Sequence, residues 1–242
     1  MSAGAVARGF ADPVLDSQSV FRTVMMALAR PGTIAELATG QLRPSAPLTP
    51  ELAAVALTLC DHETPVWLDH RLSAEAEVAA FIKFQTGAPV SDDPAKAGFA
   101  FAVDMADLPP LASFAQGTDD YPDRSTTLVL AIDALGSGRS ASLAGPGIKE
   151  RTSLALAPLT EAFIAELAGN HARFPRGVDC VFVAGGKLAA LPRSTRIARG
   201  EEGRRPDREA KERGEEGAPG LAGGEPEDRL RPDREANETK GT

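Results

Sequence analysis

Three segments of the chain combine backbone-constraining residues with charge. They are Gly145-Pro146-Gly147-Ile148, Arg173-Phe174-Pro175-Arg176-Gly177-Val178-Asp179 and Leu191-Pro192-Arg193-Ser194-Thr195-Arg196. Glycine permits conformations that a Cβ forbids, and proline fixes φ and removes a donor. Arginine offers a planar fork that matches carboxylate or phosphate. Each segment adjoins a β-like run, so all three read as stiffened loops able to present cations to an anion. By itself that chemistry names no reaction.

Each candidate has a second, structural reading. Gly145 and Gly147 could aim backbone N–H groups at a phosphate. Yet the segment matches neither G-x-G-x-x-G nor G-x-x-x-x-G-K-[ST], and Pro146 removes a donor, which favours a strand kink. Arg173 and Arg176 follow a helical pattern. They can meet that helix's last carbonyls or contact an anion or a partner. Asp179 suits an ion pair that orients an arginine. Arg193 and Arg196 read as ordinary exposed charge, with anion or partner contact as the functional reading of Arg193. Lys149 stands in Lys149-Glu150-Arg151, a charged run typical of a solvated turn, whereas a Schiff-base lysine needs desolvation or a nearby cation. Asp61-His62-Glu63 looks ligand-like, but His62, His70 and His171 lack zinc-site spacing. No G-x-S-x-G elbow is present. Cys60 and Cys180 lie in apolar runs, where inert buried thiols are the default. The expectation is no metal, no cofactor and no complete catalytic constellation.

These loops need a core to hold them. Of the 242 residues, 1–197 carry the apolar runs and fit one α/β domain. From Ala198 onward Leu221 and Leu230 are the large apolar residues, and Arg205-Pro206-Asp207-Arg208-Glu209-Ala210 recurs at Arg231-Pro232-Asp233-Arg234-Glu235-Ala236. Residues 198–242 therefore read as a disordered low-complexity tail. A formal charge of −8 argues against nucleic-acid binding, while leaving room for a small anionic ligand in a local cationic pocket. Two separated cysteines suit a reducing cytoplasm. The first residues lack a signal-peptide pattern, and no apolar stretch approaches the roughly 18 residues of a spanning helix.

The pattern predicts a first helix capped by Asp16 or Ser17, running through Phe21, Val24, Met25 and Leu28 and stopped by Pro31-Gly32. Thr49-Pro50-Glu51 opens a second helix, and Ser73 caps a third. Thr160–Ala168 is amphipathic, and Pro110–Phe114 forms a short helix. Strands are expected over Pro65–Leu68, Gly98–Val103, Thr126–Ile132, Ser140–Ala144 and Val178–Ala184. Gly185-Gly186 then turns the last of these into a hairpin with Lys187–Leu191. Interleaved helices and strands with antiparallel neighbours point to a three-layer α/β fold with a mixed sheet.

Phe21-Arg22 followed by Met25, Ala27 and Pro31-Gly32 resembles the opening signature of the PhnH family, subunits of the bacterial carbon–phosphorus lyase core complex. The Gly145, Phe174 and Leu191 segments look like that family's later signatures in order and spacing, and the likeness runs from Phe10 to Ile197. It implies a fold like the large domain of pyridoxal-phosphate-dependent transferases, without the cofactor. It also implies a homodimer that joins the other core subunits. That complex couples a phosphonate to the ribose of ATP, giving α-D-ribose 1-methylphosphonate 5-triphosphate, and a separate iron–sulfur subunit later breaks the carbon–phosphorus bond. No catalytic residue transfers from the family. Arg22, Gly145, Gly147, Arg173, Arg176 and Arg193 stand as candidate anion or partner contacts. The competing readings are a stand-alone nucleotide- or phosphonate-binding module, and a pyridoxal-phosphate-type transferase.

Overall fold

Alternation along the strands sorts the core into two faces. In a strand, successive side chains point to opposite sides. Leu128, Leu130, Cys180 and Phe182 accordingly join one buried cluster, while Val129, Val181 and Val183 join the other. The chain is an α/β protein, seen in a computed structural model that describes residues 7–199.

Its elements are α1 (Pro13–Ala29), β1 (Ala35–Glu36), α2 (Pro50–Leu59), β2 (Val66–Leu68), α3 (His70–Ser73), α4 (Ala76–Thr86), β3 (Phe99–Ala102), β4 (Thr127–Ala131), β5 (Ala134–Ala144), β6 (Thr152–Ala157), α5 (Glu161–Ala172), β7 (Asp179–Ala184), β8 (Lys187–Leu191) and β9 (Arg196–Arg199). The main sheet has the order β1-β8-β7-β4-β3-β2. Strands β2, β3, β4 and β7 run parallel, and β8 and β1 add antiparallel pairs at one edge, so the sheet is mixed. One face packs against α1, α2 and α4 through Val20, Val24, Leu52, Ala53 and Ile82. The other packs against α5 and a second sheet, β6-β5-β9, through Phe163, Leu167, Leu143 and Leu156. This layering is compatible with a three-layer α/β fold. Phe163 meets Phe182 edge-on at 6.2 Å, which ties α5 to the sheet centre.

Local chemistry explains most boundaries. Thr49 and Thr160 each accept a hydrogen bond from the N–H three residues on, Leu52 and Phe163. The β7–β8 hairpin turns on Gly185 (φ 54°) and Gly186 (φ 73°), the paired positive φ of a two-residue turn.

Two expected caps differ. Asp12, rather than Asp16 or Ser17, caps α1 by accepting from the N–H groups of Val14 and Leu15. Pro13 then occupies the first helical position, where its missing donor costs nothing. Ser73 ends the short α3 instead of opening α4. Asp69 caps α3, and α4 has no side-chain cap. The inward stripe of α1 also shifts to Val20, Val24 and Ala27, and leaves Phe21 and Met25 half exposed. Small inward residues let α1 lie close on α2 and β8.

The second sheet is the largest addition to the sequence reading. Strand β5 begins at Ala134, well before Ser140, and changes register between Leu135 and Arg139, where Gly136 and Gly138 take positive φ. Those glycines read as a loop, because a bulge needs the backbone freedom that a turn needs. Strand β9 pairs Ile197, Ala198 and Arg199 with Leu143, Ser142 and Ala141. Residues 200–242, most of the expected tail, lie outside the described residues.

We propose that the tail is dispensable for folding. A chain cut after Glu202 should keep the thermal midpoint of the full chain. A cut after Ile197 strips two pairs from the β5–β9 ladder and should lower it. A large drop on cutting after Glu202, followed by differential scanning calorimetry, would show that the tail stabilises the domain.

Candidate functional site

The three loop segments meet in space, and the contacts are backbone-tight. A Cβ on Gly147 (φ 80°) would sit 2.3 Å from Ala29 O and 2.9 Å from Pro31 Cδ. One on Gly145 (φ 141°) would lie 2.9 Å from Ser194 O. A Cβ on Gly32 would fall 2.5 Å from Thr152 Cγ2. The end of α1, the Gly145–Ile148 turn and the β8–β9 connection therefore share one junction. The Ile148 N–H donates to Gly145 O and closes the turn. Only residues without a side chain fit at Gly145 and Gly147, for reasons of positive φ and of space.

Asp179 and Arg193 anchor this junction. Asp179 Oδ1 accepts from the Arg193 backbone N–H at 2.8 Å and from Nε at 3.2 Å, and Oδ2 accepts from Nη2 at 2.8 Å. The side chains are 18% and 15% exposed, so Arg193 is not the exposed charge that its place after a hairpin suggests. Arg193 Nη1 also donates to Pro122 O, and Arg193 O accepts from His171 Nδ1 at 3.2 Å. Since a carbonyl only accepts, Nδ1 carries the proton.

Arg173 and Arg176 reach the same neighbouring loop. Arg173 Nε donates to Gln116 Oε1 at 2.9 Å, and its Nη2 is buried without a protein acceptor. Arg176 pairs with Asp119 at 3.3 Å in the open. The Gly177 N–H donates to Gln116 O. Three arginines thus hold the Gln116–Pro122 segment. Arg22 lies apart, exposed on α1 beside Phe21, Met25 and Met26. With Val14 and Leu15 these apolar residues form an outward stripe, 42% to 65% exposed.

Two polar residues escaped the sequence reading. Asp69, fully buried at the carboxyl ends of β2 and β3, accepts from the N–H groups of Leu72, Val103 and Asp104. Asn170 both donates to Val178 O and accepts from Val178 N, completing an unpaired strand end from within α5. Neither spacing nor composition signals such side-chain-to-backbone bonds.

The conventional reactive groups are committed or remote. The Thr64 hydroxyl and the Glu63 N–H hold the Asp61 carboxyl below the usual range and close a local turn. Burial pushes the Cys60 thiol up to about 12 and raises Cys180 further, which makes both poor nucleophiles. Lys149 is exposed. Among the described residues no three His, Cys, Asp or Glu side chains gather to hold a metal. The described residues enclose a concavity of about 520 Å³ lined by Arg151, Arg196 and His171, and another of about 410 Å³ lined by Met105, Leu108, Phe163, Asp104 and Glu166. Sequence reading left Arg151 and Arg196 as scattered surface charge.

A pair of alanine substitutions separates close approach from glycine content. Gly147→Ala meets both positive φ and a carbonyl, and should cost more than about 2 kcal/mol. Gly169 sits inside α5 with nothing within 4 Å of its would-be Cβ, so Gly169→Ala should stabilise by roughly 0.5–1 kcal/mol. Chemical denaturation should move the two midpoints in opposite directions. Equal small shifts would contradict the packing described here.

Comparison with known proteins places this junction in a family context. The family model for PhnH, described as bacterial phosphonate metabolism protein, matches residues 8–198. A protein of Rhizobium meliloti (strain 1021) named alpha-D-ribose 1-methylphosphonate 5-triphosphate synthase subunit PhnH is 47% identical over 190 residues, covering 78% of this chain and 94% of that protein. A putative C-P lyase subunit protein HtxG of Stutzerimonas stutzeri is 26% identical over 185 residues, covering 74% of this chain and 85% of its own length. The matched span takes in the α1 end, the Gly145 turn and both arginine segments, and the chain belongs to the PhnH family of bacterial phosphonate metabolism proteins.

Proposed function

We propose that the chain is a non-autonomous subunit of the bacterial carbon–phosphorus lyase core complex. In this reading it supports formation of α-D-ribose 1-methylphosphonate 5-triphosphate from ATP and a phosphonate, in the cytoplasm. The observation that carries it is the near full-length match to a relative named as a subunit of that synthase. One feature of the chain agrees. Its α1 stripe of Val14, Leu15, Phe21, Met25 and Met26 lies open, and apolar surface concentrated on one helix face suits a protein contact. No described helix is long and apolar enough to cross a membrane.

The likeness to the large domain of pyridoxal-phosphate-dependent transferases and the homodimeric state belong to the same reading. We assign the α1 stripe to another core subunit, with Arg22 as its charged partner contact. Arg173, Arg176 and Arg193 present the Gln116–Pro122 loop as part of the same assembled surface. Gly145 and Gly147 contribute the close backbone approach beneath it.

The test is Phe21→Asp with Met25→Asp. Both side chains are half exposed, so the double variant should fold with a thermal midpoint near that of the parent. It should lose co-purification with the other core subunits and fail to support growth on methylphosphonate as sole phosphorus source. Wild-type growth together with intact co-purification would reject the α1 assignment. Failure of the parent chain to co-purify would reject the subunit reading itself.

A further inference from the structure

The larger cleft gathers cations that the sequence scatters. Its walls include Arg151 from the turn before β6, Arg196 at the start of β9, His171 near the end of α5 and Ser142 of β5. Among the described residues four arginines have carboxylate partners, Arg71 with Asp104, Arg139 with Glu161, Arg176 with Asp119 and Arg193 with Asp179, and several others, Arg22 and Arg173 among them, have none. Arg151 and Arg196 have no ion pair or side-chain hydrogen bond among the described residues. One carboxylate, Glu150, shares the rim. Two guanidiniums against one carboxylate leave the cleft cationic in a chain whose formal charge is −8.

The frame of the cleft is paired, and the Arg151 and Arg196 side chains stand exposed on it. Strand β5 is paired on both edges, by β6 and by β9. His171 is fixed through Nδ1 to Arg193 O, and Arg193 is fixed to Asp179. With Nδ1 donating, Nε2 of the neutral ring is an acceptor, suited to a hydroxyl of the ligand rather than to an oxyanion. Ala144, Ala168 and Ala198 supply an apolar side to the same space, while Leu143 is buried in the core beneath it.

We propose that this cleft binds the phosphoryl or phosphonyl group of a small organic molecule. Two forked guanidiniums and a hydroxyl outnumber the two oxygens of a single carboxylate. They suit the three terminal oxygens of a tetrahedral phosphorus oxoanion. About 520 Å³ lies within the range of small-molecule sites and exceeds what a bare phosphate fills. The organic part of the ligand then covers Ala144 and Ala168. Net negative charge elsewhere disfavours extended polyanions such as nucleic acid. The site belongs to the isolated chain and does not rest on the assembly reading.

Isothermal titration of the full chain tests this, with inorganic pyrophosphate as the first probe. Saturable one-to-one binding is expected. Arg151→Ala and Arg196→Ala should each weaken it about ten- to a hundredfold, the worth of one charge-assisted contact. Lys83→Ala removes an equal charge from exposed α4 and should change nothing. Methylphosphonate and glycerol phosphate then distinguish a phosphonate ligand from a phosphate ester, and tighter binding of either supports the site. Absence of saturation at millimolar pyrophosphate would overturn the proposal. So would an equal loss with Lys83→Ala, or malonate binding as tightly as pyrophosphate. Arg151 and Arg196 lie on separate segments, so misfolding of one variant leaves the other to decide.

Discussion

The pair formed by Asp179 and Arg193 is the contact on which this arrangement depends. One carboxylate takes a backbone N–H and two guanidinium N–H groups from a residue fourteen positions later. Its partner spends its remaining groups on Pro122 O and, through its own carbonyl, on His171. A single arginine thereby joins the first residue of β7, the C-terminal end of α5, the Gln116–Pro122 loop and the β8–β9 connection. The pair is mostly but not fully buried. Its charges keep some solvent, and its value is closer to a few charge-assisted hydrogen bonds than to a bare Coulomb energy in a dry interior.

From that anchor the remaining geometry follows by proximity. Fixing the β8–β9 connection places Ser194 O against Gly145, and Gly145 carries the turn whose next glycine lies under Ala29 and Pro31. The end of the first helix, the turn after β5 and the turn before β9 are thus mutually exclusive of any side chain between them. Strand β9 continues from the anchored turn and forms one wall of the cationic cleft, while His171 forms another. Asn170 and Asp69 do comparable service elsewhere, each spending a buried polar side chain on backbone groups that lack a strand or helix partner. The glycine and arginine segments therefore act here first as architecture, and the surfaces they shape lie around them.

The sequence disclosed strands whose residues are β-branched or alternate cleanly, such as Thr127–Ala131 and the Gly185-Gly186 hairpin. It disclosed helices opened by Thr-x-x patterns, such as those after Thr49 and Thr160. It concealed the β5–β6–β9 sheet, because glycine in β5, a charged run before β6 and a short terminal strand each mimic loop. The inner face of α1 was misread because Phe21 and Met25 are the larger apolar residues, while close helix packing selects Val20, Val24 and Ala27. At the site, residue types pointed to Asp179 in an ion pair. They gave no sign that Arg193 is its partner, or that Arg151 and Arg196 share a cleft, since those facts arise from pairings between strands distant in sequence.

The account stands most directly on the coupling between Asp179 and Arg193, which a double-mutant cycle of Asp179→Ala and Arg193→Ala measures by chemical denaturation. If the pair fastens the junction, the losses are strongly non-additive, with a coupling energy of about 1–3 kcal/mol. Additivity to within roughly 0.5 kcal/mol would contradict it, and would mean that the three loop segments are held together by something other than this pair.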